Sequence, residues 1–74
     1  MIQIIEGNEI EKRMAEELQT TYDTMTRLDR FSSTYRDALN QWLYTIVFAN
    51  MVLDSGKSFR IHNGKVTLFE YKED

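Results

Sequence analysis

A chain of 74 residues has room for one domain with a thin core, because a domain of that size buries only about 60% of the surface it exposes when unfolded. Two usual remedies are excluded: there is no cysteine for a disulfide, and one histidine cannot build a Cys/His zinc site, so association with another chain is the remedy left open. Nine basic residues against 12 acidic ones give a formal net charge of -3, which supplies no global attraction to nucleic acid.

Ile2 to Glu6 is short and rich in β-branched residues and reads as a strand. No basic region precedes its apolar part, as a secretory leader would require, which predicts a cytoplasmic protein. Gly7-Asn8 makes the turn into a first helix. Asn8 is a suitable cap, and Glu11 at the third helical position completes a capping box in which Asn replaces the usual Ser or Thr.

Along that helix Ile10, Met14, Leu18, Thr21, Met25 and Leu28 follow steps of three and four and predict one buried stripe. The other sides are charged or polar, with Glu9 before Arg13 and Asp23 before Arg27 in the favourable order on a solvated face. Tyr22 and Phe31 flank the connection to the next helix and are expected to close that end of the core.

Ser32 or Ser33 is the expected cap of the second helix, with Asp37 near its positive end. From Ala38 to Leu53 there is no charged residue. At about 100° per residue, Tyr35, Leu39, Trp42, Ile46, Ala49 and Leu53 form one face, while Tyr44, Val47, Phe48 and Met51 form another almost opposite. A helix dry on both faces must be covered on both, either inside the domain or by another protein. The stretch falls short of the roughly 18 to 20 apolar residues of a membrane span and is interrupted by Asn40, Gln41, Thr45 and Asn50, so no membrane is expected. Asp54-Ser55-Gly56 ends the helix, with Gly56 the expected left-handed cap.

Two alternating β-prone runs between Ser58 and Tyr71 flank His62-Asn63-Gly64-Lys65, and Asn-Gly is the strongest short hairpin signal. With Asn63-Gly64 as the turn, Phe59, Ile61, Val66 and Leu68 share the face that packs on the helices. Ser58, Arg60, His62, Lys65, Thr67, Phe69 and Tyr71 share the other. The fold class expected is α+β in the order β-α-α-β-β, a helix pair on one side of a small three-stranded sheet, with the N-terminal strand joining the C-terminal one. Residues 1–74 form this one domain.

No motif for catalysis stands out, and a non-enzyme without metal or cofactor is expected. His62 reads as an exposed strand residue beside a turn, with no second histidine or cysteine to join it. Asp54-Ser55 reads as a helix end and has no base placed to activate the serine. Glu9, Glu16 and Asp23 recur every seven residues, but Lys12, Arg13 and Arg27 break both a metal array and an acidic mimic of DNA. Glu6-Gly7-Asn8-Glu9 has one glycine and two acids, which do not suit a phosphate.

Strand, two helices and hairpin resemble, in element order alone, the latter part of a winged-helix domain, whose hairpin is the wing. The resemblance implies Arg60, His62 and Lys65 as wing contacts and the second helix as the reader of bases. A reading face needs Arg, Lys, Asn or Gln, whereas this helix offers Tyr44, Phe48 and Met51. Arg27, Arg30 and Arg36 lie near the helix connection, but Asp23, Asp29 and Asp37 lie among them.

The expectation is therefore a small non-catalytic regulator or inhibitor that binds protein, of a kind phages and mobile elements encode. It pairs with itself through Tyr44, Val47, Phe48 and Met51, with Asn40, Gln41 and Asn50 as polar contacts, and has another protein as a further partner. Arg60, His62, Lys65, Phe69 and Tyr71 are the second candidate surface. The alternative is a winged-helix-like nucleic-acid-binding regulator.

Overall fold

The computed structural model describes residues 1–73. Strand β1 (Ile2–Ile5), helices α1 (Glu9–Thr26) and α2 (Ser33–Val52), and strands β2 (Lys57–His62) and β3 (Lys65–Tyr71) make an α+β fold in the expected order. The strands form one antiparallel sheet in the order β1-β3-β2, with the chain's last strand at its centre.

Local chemistry sets these elements. The Asn8 side chain accepts from the Glu11 N–H at 2.8 Å, and the Glu11 carboxylate accepts from the Asn8 N–H at 2.8 Å, a complete capping box. Ser32 caps α2, its Oγ accepting from the Tyr35 N–H at 3.0 Å. Asn63 and Gly64 have φ of 53° and 78°, the pair of positive angles a type I′ turn requires, and β2 meets β3 in the expected register from His62↔Lys65 to Phe59↔Leu68. β1 lies along β3 from Ile2↔Tyr71 to Ile5↔Leu68.

Leu18, Met25, Trp42, Ala49, Phe59 and Leu68 are buried and form the core, with Ile5, Met14, Tyr22, Tyr35, Leu39, Ile46, Leu53 and Val66 packed around them. Tyr22 leans on Trp42 with ring centroids 5.2 Å apart. Gly7 is required where the chain enters α1: its φ is 81°, and a Cβ there would lie 2.8 Å from Leu68 Cδ2.

Five expectations are corrected. Ile10 is 71% exposed, because the residue that turns under the helix here is Glu11, held by the capping box. Phe31 is 96% exposed: the Asp29 carboxylate accepts from its backbone N–H at 3.1 Å, and this short turn points the ring outward. Ile61, next to the hairpin turn, is exposed rather than packed under the helices. α2 ends at Val52 with Leu53 as an extended cap packed against the core; Gly56 is left-handed as expected, with φ of 88°, but sits in the following turn, where the Lys57 N–H donates to the Asp54 carbonyl at 3.1 Å, and does not cap the helix. Asp37 lies beyond the first turn of α2 and is exposed.

Two carboxamides finish the sheet edges. β1 leaves Lys65–Thr67 of β3 unpaired on its side, and there Gln19 Oε1 accepts from the Val66 N–H at 2.6 Å while Gln19 Nε2 donates to the Gly64 carbonyl at 3.2 Å. On the opposite edge Asn50 Oδ1 accepts from the Phe59 N–H at 2.7 Å and Asn50 Nδ2 donates to the Phe59 carbonyl at 3.4 Å. Each amide serves as a one-residue strand for the backbone groups it meets, Gln19 on the part of β3 that β1 leaves free and Asn50 at Phe59 on the outer side of β2.

Phe59, in β2, is one of the two most completely buried large side chains of the core. Truncating it (Phe59→Ala) is expected to lower the unfolding free energy by about 3–5 kcal/mol. Urea titration followed by circular dichroism reads this loss directly, and a change below about 1 kcal/mol would contradict the packing described.

Candidate protein interface

A two-layer fold covers a helix on the sides facing the sheet and the neighbouring helix, and α2 has apolar residues well beyond those sides. With about 100° per residue, Leu43, Val47, Met51, Tyr44, Phe48 and Val52 spread across the half of the helix opposite Trp42, Ile46, Ala49 and Leu53. The second set lies in or against the core. The first is in solvent: Tyr44 is 78% exposed, Met51 75% and Phe48 67%, with Leu43, Val47 and Val52 also open. The arrangement with both faces of α2 internal is therefore not the one adopted by the single chain.

The patch continues toward α1. Between the helices Met14, Leu18, Thr45, Phe48, Ala49 and Val52, with Glu17 as the one charged residue, line a groove of about 180 Å³. Exposed Ile10 stands one turn before Met14 on the same side of α1 and lengthens the apolar surface. On the other flank, Asn40, Leu43, Tyr44 and Val47 surround a shallow hollow.

The molecule as a whole carries too much surface. A compact monomer of 8.8 kDa exposes about 4,800 Å² by the usual size scaling, whereas this chain exposes 5748 Å². Its extents of 45 × 21 × 17 Å give the reason: an elongated slab, about twice as long as it is wide, one helix layer and one strand layer deep. The excess, roughly 1,000 Å², is comparable to the share of about 800 Å² that one partner contributes to a standard protein interface.

Of the polar residues expected near the patch, Asn40 and Gln41 are exposed at its N-terminal margin. Asn50 is not available: its carboxamide is engaged with the Phe59 backbone. A lone asparagine in an apolar helix gives no sign in sequence of whether it turns outward or caps a strand.

The second candidate surface is the side of the sheet away from the helices. Register places Arg60, His62, Lys65, Phe69 and Tyr71 there together, as expected, and adds Ile2 and Ile4 of β1, which the sequence did not assign to a face. The Arg60 guanidinium lies 6.0 Å from the Phe69 ring centroid, and the His62 ring meets Phe69 edge-on at 6.0 Å. No strand position on this face holds an acid.

The buried charge of the molecule serves architecture. Glu11 is 6% exposed and its Oε2 receives Lys57 Nζ at 3.1 Å, joining the start of α1 to the start of β2; Asp54 approaches the same ammonium at 3.7 Å. The Asn8 N–H, together with Lys57, holds the Glu11 carboxyl below its ordinary range against the opposing effect of burial, and the bond to Glu11 raises Lys57 above its own. Among the described residues no three His, Cys, Asp or Glu side chains gather where they could share a metal ion, and no helix is long and apolar enough to cross a membrane.

The fold and its surfaces thus define a small two-layer α+β domain with an uncovered apolar helix face. Comparison with protein-family models, curated proteins and solved structures finds no match to this chain.

The lowered Glu11 carboxyl sets the acid limb of stability. The unfolded chain takes up its proton first, so the contribution is complete above the ordinary glutamate range and is lost as pH falls through the lower folded value. The urea midpoint of Glu11→Gln is expected to change less than that of the unsubstituted chain between neutral pH and pH about 3; equal slopes would contradict the assignment.

Proposed function

We propose that this domain is a non-catalytic regulator or inhibitor that acts by binding protein through the outer face of α2. One observation carries the reading: six apolar side chains, from Leu43 to Val52, stand exposed on one uncharged face of a helix whose opposite face is anchored in the core. Contiguous exposed apolar surface of this extent marks an interaction site in a soluble chain. Tyr44 and Phe48 are the kind of rigid aromatic anchors that dominate interface energetics, and Met51 adapts to an irregular neighbour. The winged-helix alternative asks α2 to read bases, and its outer face offers no Arg or Lys among its exposed residues from Leu43 to Val52 and carboxamides only at the margin, in Asn40 and Gln41.

A photo-reactive phenylalanine analogue placed at Tyr44 is expected to form covalent adducts with protein in the cell that makes it, while the same group at Glu16 on the charged side of α1 does not. Adducts that are absent from position 44, or equally frequent at both, would contradict the reading.

The charge of the outer sheet face favours a second reading, the binding of single-stranded nucleic acid. Phe69 and Tyr71 are two residues apart on the central strand, as successive stacking platforms need, and Arg60 and His62 lie against Phe69, with Lys65 on the same face toward the hairpin turn and no acid in the strand positions. Fluorescence anisotropy with a labelled oligothymidine at low salt tests it. The second reading requires binding that weakens as salt rises and is reduced at least several-fold in Arg60→Ala and Tyr71→Ala; no binding at low salt removes it.

A further inference from the structure

Building on the protein-binding reading, we infer that the occupant of the α2 face is a second copy of this chain, its α2 running antiparallel across a two-fold axis that passes between Val47 and Phe48. Area is the first ground. The surplus surface, roughly 1,000 Å² above that of a compact monomer, matches one partner's share of a stable interface, so a single self-complementary contact would bring the slab to an ordinary surface area. One patch that supplies both halves of its contact closes after two copies.

The spacing of the patch is the second ground. Asn40, Tyr44, Val47 and Met51 follow steps of four, three and four, the seam that a facing helix accepts between its own side chains. The ten residues from Leu43 to Val52 run about 15 Å, or nearly three turns of contact.

The ends of the seam decide the orientation. In the antiparallel arrangement Tyr44 lies against the partner's Met51, an aromatic–thioether contact, and Leu43 lies against the partner's Val52. Asn40 and Gln41 then reach the C-terminal end of the partner helix. That end has carbonyls left without intrahelical partners, its cap is extended, and no basic residue stands in its last turn. The two carboxamides bring the N–H donors those carbonyls lack. A parallel pair instead sets Arg36 and Asp37 each near its own copy, aligns the two helix dipoles and leaves both C-terminal ends without donors.

The absence of cysteine makes the test clean. Single-cysteine variants at Val47, Phe48 and Asn40 are oxidised and examined by non-reducing electrophoresis, beside the double variant Tyr44→Cys/Met51→Cys. A disulfide requires Cα atoms within about 7 Å. Positions beside the axis therefore cross-link to themselves: Val47→Cys or Phe48→Cys gives covalent dimer, as does the double variant, while Asn40→Cys stays a monomer. Efficient self-linking of Asn40→Cys would overturn the antiparallel arrangement in favour of a parallel one. Light scattering of the unsubstituted chain across a dilution series guards against disruption by the substitutions themselves. A monomer at every concentration overturns the self-pairing. If adducts from Tyr44 to a different protein accompany that monomer, the protein-binding reading stands and only the second copy falls; if adducts are absent as well, both fall.

Discussion

Twenty residues of α2 lie on a single sheet layer beside a single helix, and those neighbours bury only half of its circumference. The sequence places apolar residues on the other half as well. Trp42 and Ala49 answer the internal demand, since with Phe59, Leu68, Leu18 and Met25 they hold the two layers together. Tyr44, Phe48 and Met51 remain largely exposed among the described residues. The described residues form two layers, 17 Å through in the thinnest dimension, and none of their elements lies over these side chains. The functional reading follows from this mismatch between the apolar surface the sequence supplies and the apolar surface the fold can bury.

The rest of the surface differs from that face in chemistry and in how its polar groups are engaged. Exposed sheet edges are the usual competing route to association; on the β2 edge Asn50 takes the free N–H of Phe59, and beyond the end of β1 Gln19 takes that of Val66 on the central strand. The buried Glu11–Lys57 pair ties α1 to β2 at the same end of the molecule as Gly7, so the helix layer is fixed relative to the sheet by a charge-assisted bond as well as by the core. The charged side of α1, the uncharged outer side of α2 and the basic, aromatic back of the sheet are three surfaces of different chemistry.

Features governed by short-range rules were legible in the sequence. The Asn63-Gly64 pair fixed the hairpin register, because only one alignment sets two positive φ angles at the turn, and the register fixed which residues share each face. The Asn8–Glu11 capping box and the two faces of α2 were equally readable from spacing. What escaped were residues whose neighbours come from far along the chain. Ile10 fits the helical stripe by spacing but was displaced by Glu11, whose partner Lys57 lies 46 residues away. Gln19 and Asn50 looked like ordinary polar positions because the strand edges they complete exist only once the sheet has formed. Phe31 was misjudged for a local reason, since the Asp29 turn that points it outward resembles many connections that point inward.

Whether the outer face of α2 belongs to an interface or to the folded chain's own core is decided by introducing a charge at Phe48. Circular dichroism, thermal melting and light scattering of Phe48→Asp beside the unsubstituted chain separate the two cases. The account predicts a dimer that becomes a monomer, with its helical signal intact and a cooperative melt retained. A variant that loses its helical signal while the unsubstituted chain is a stable monomer would contradict it, because the face would then be holding the chain's own fold together.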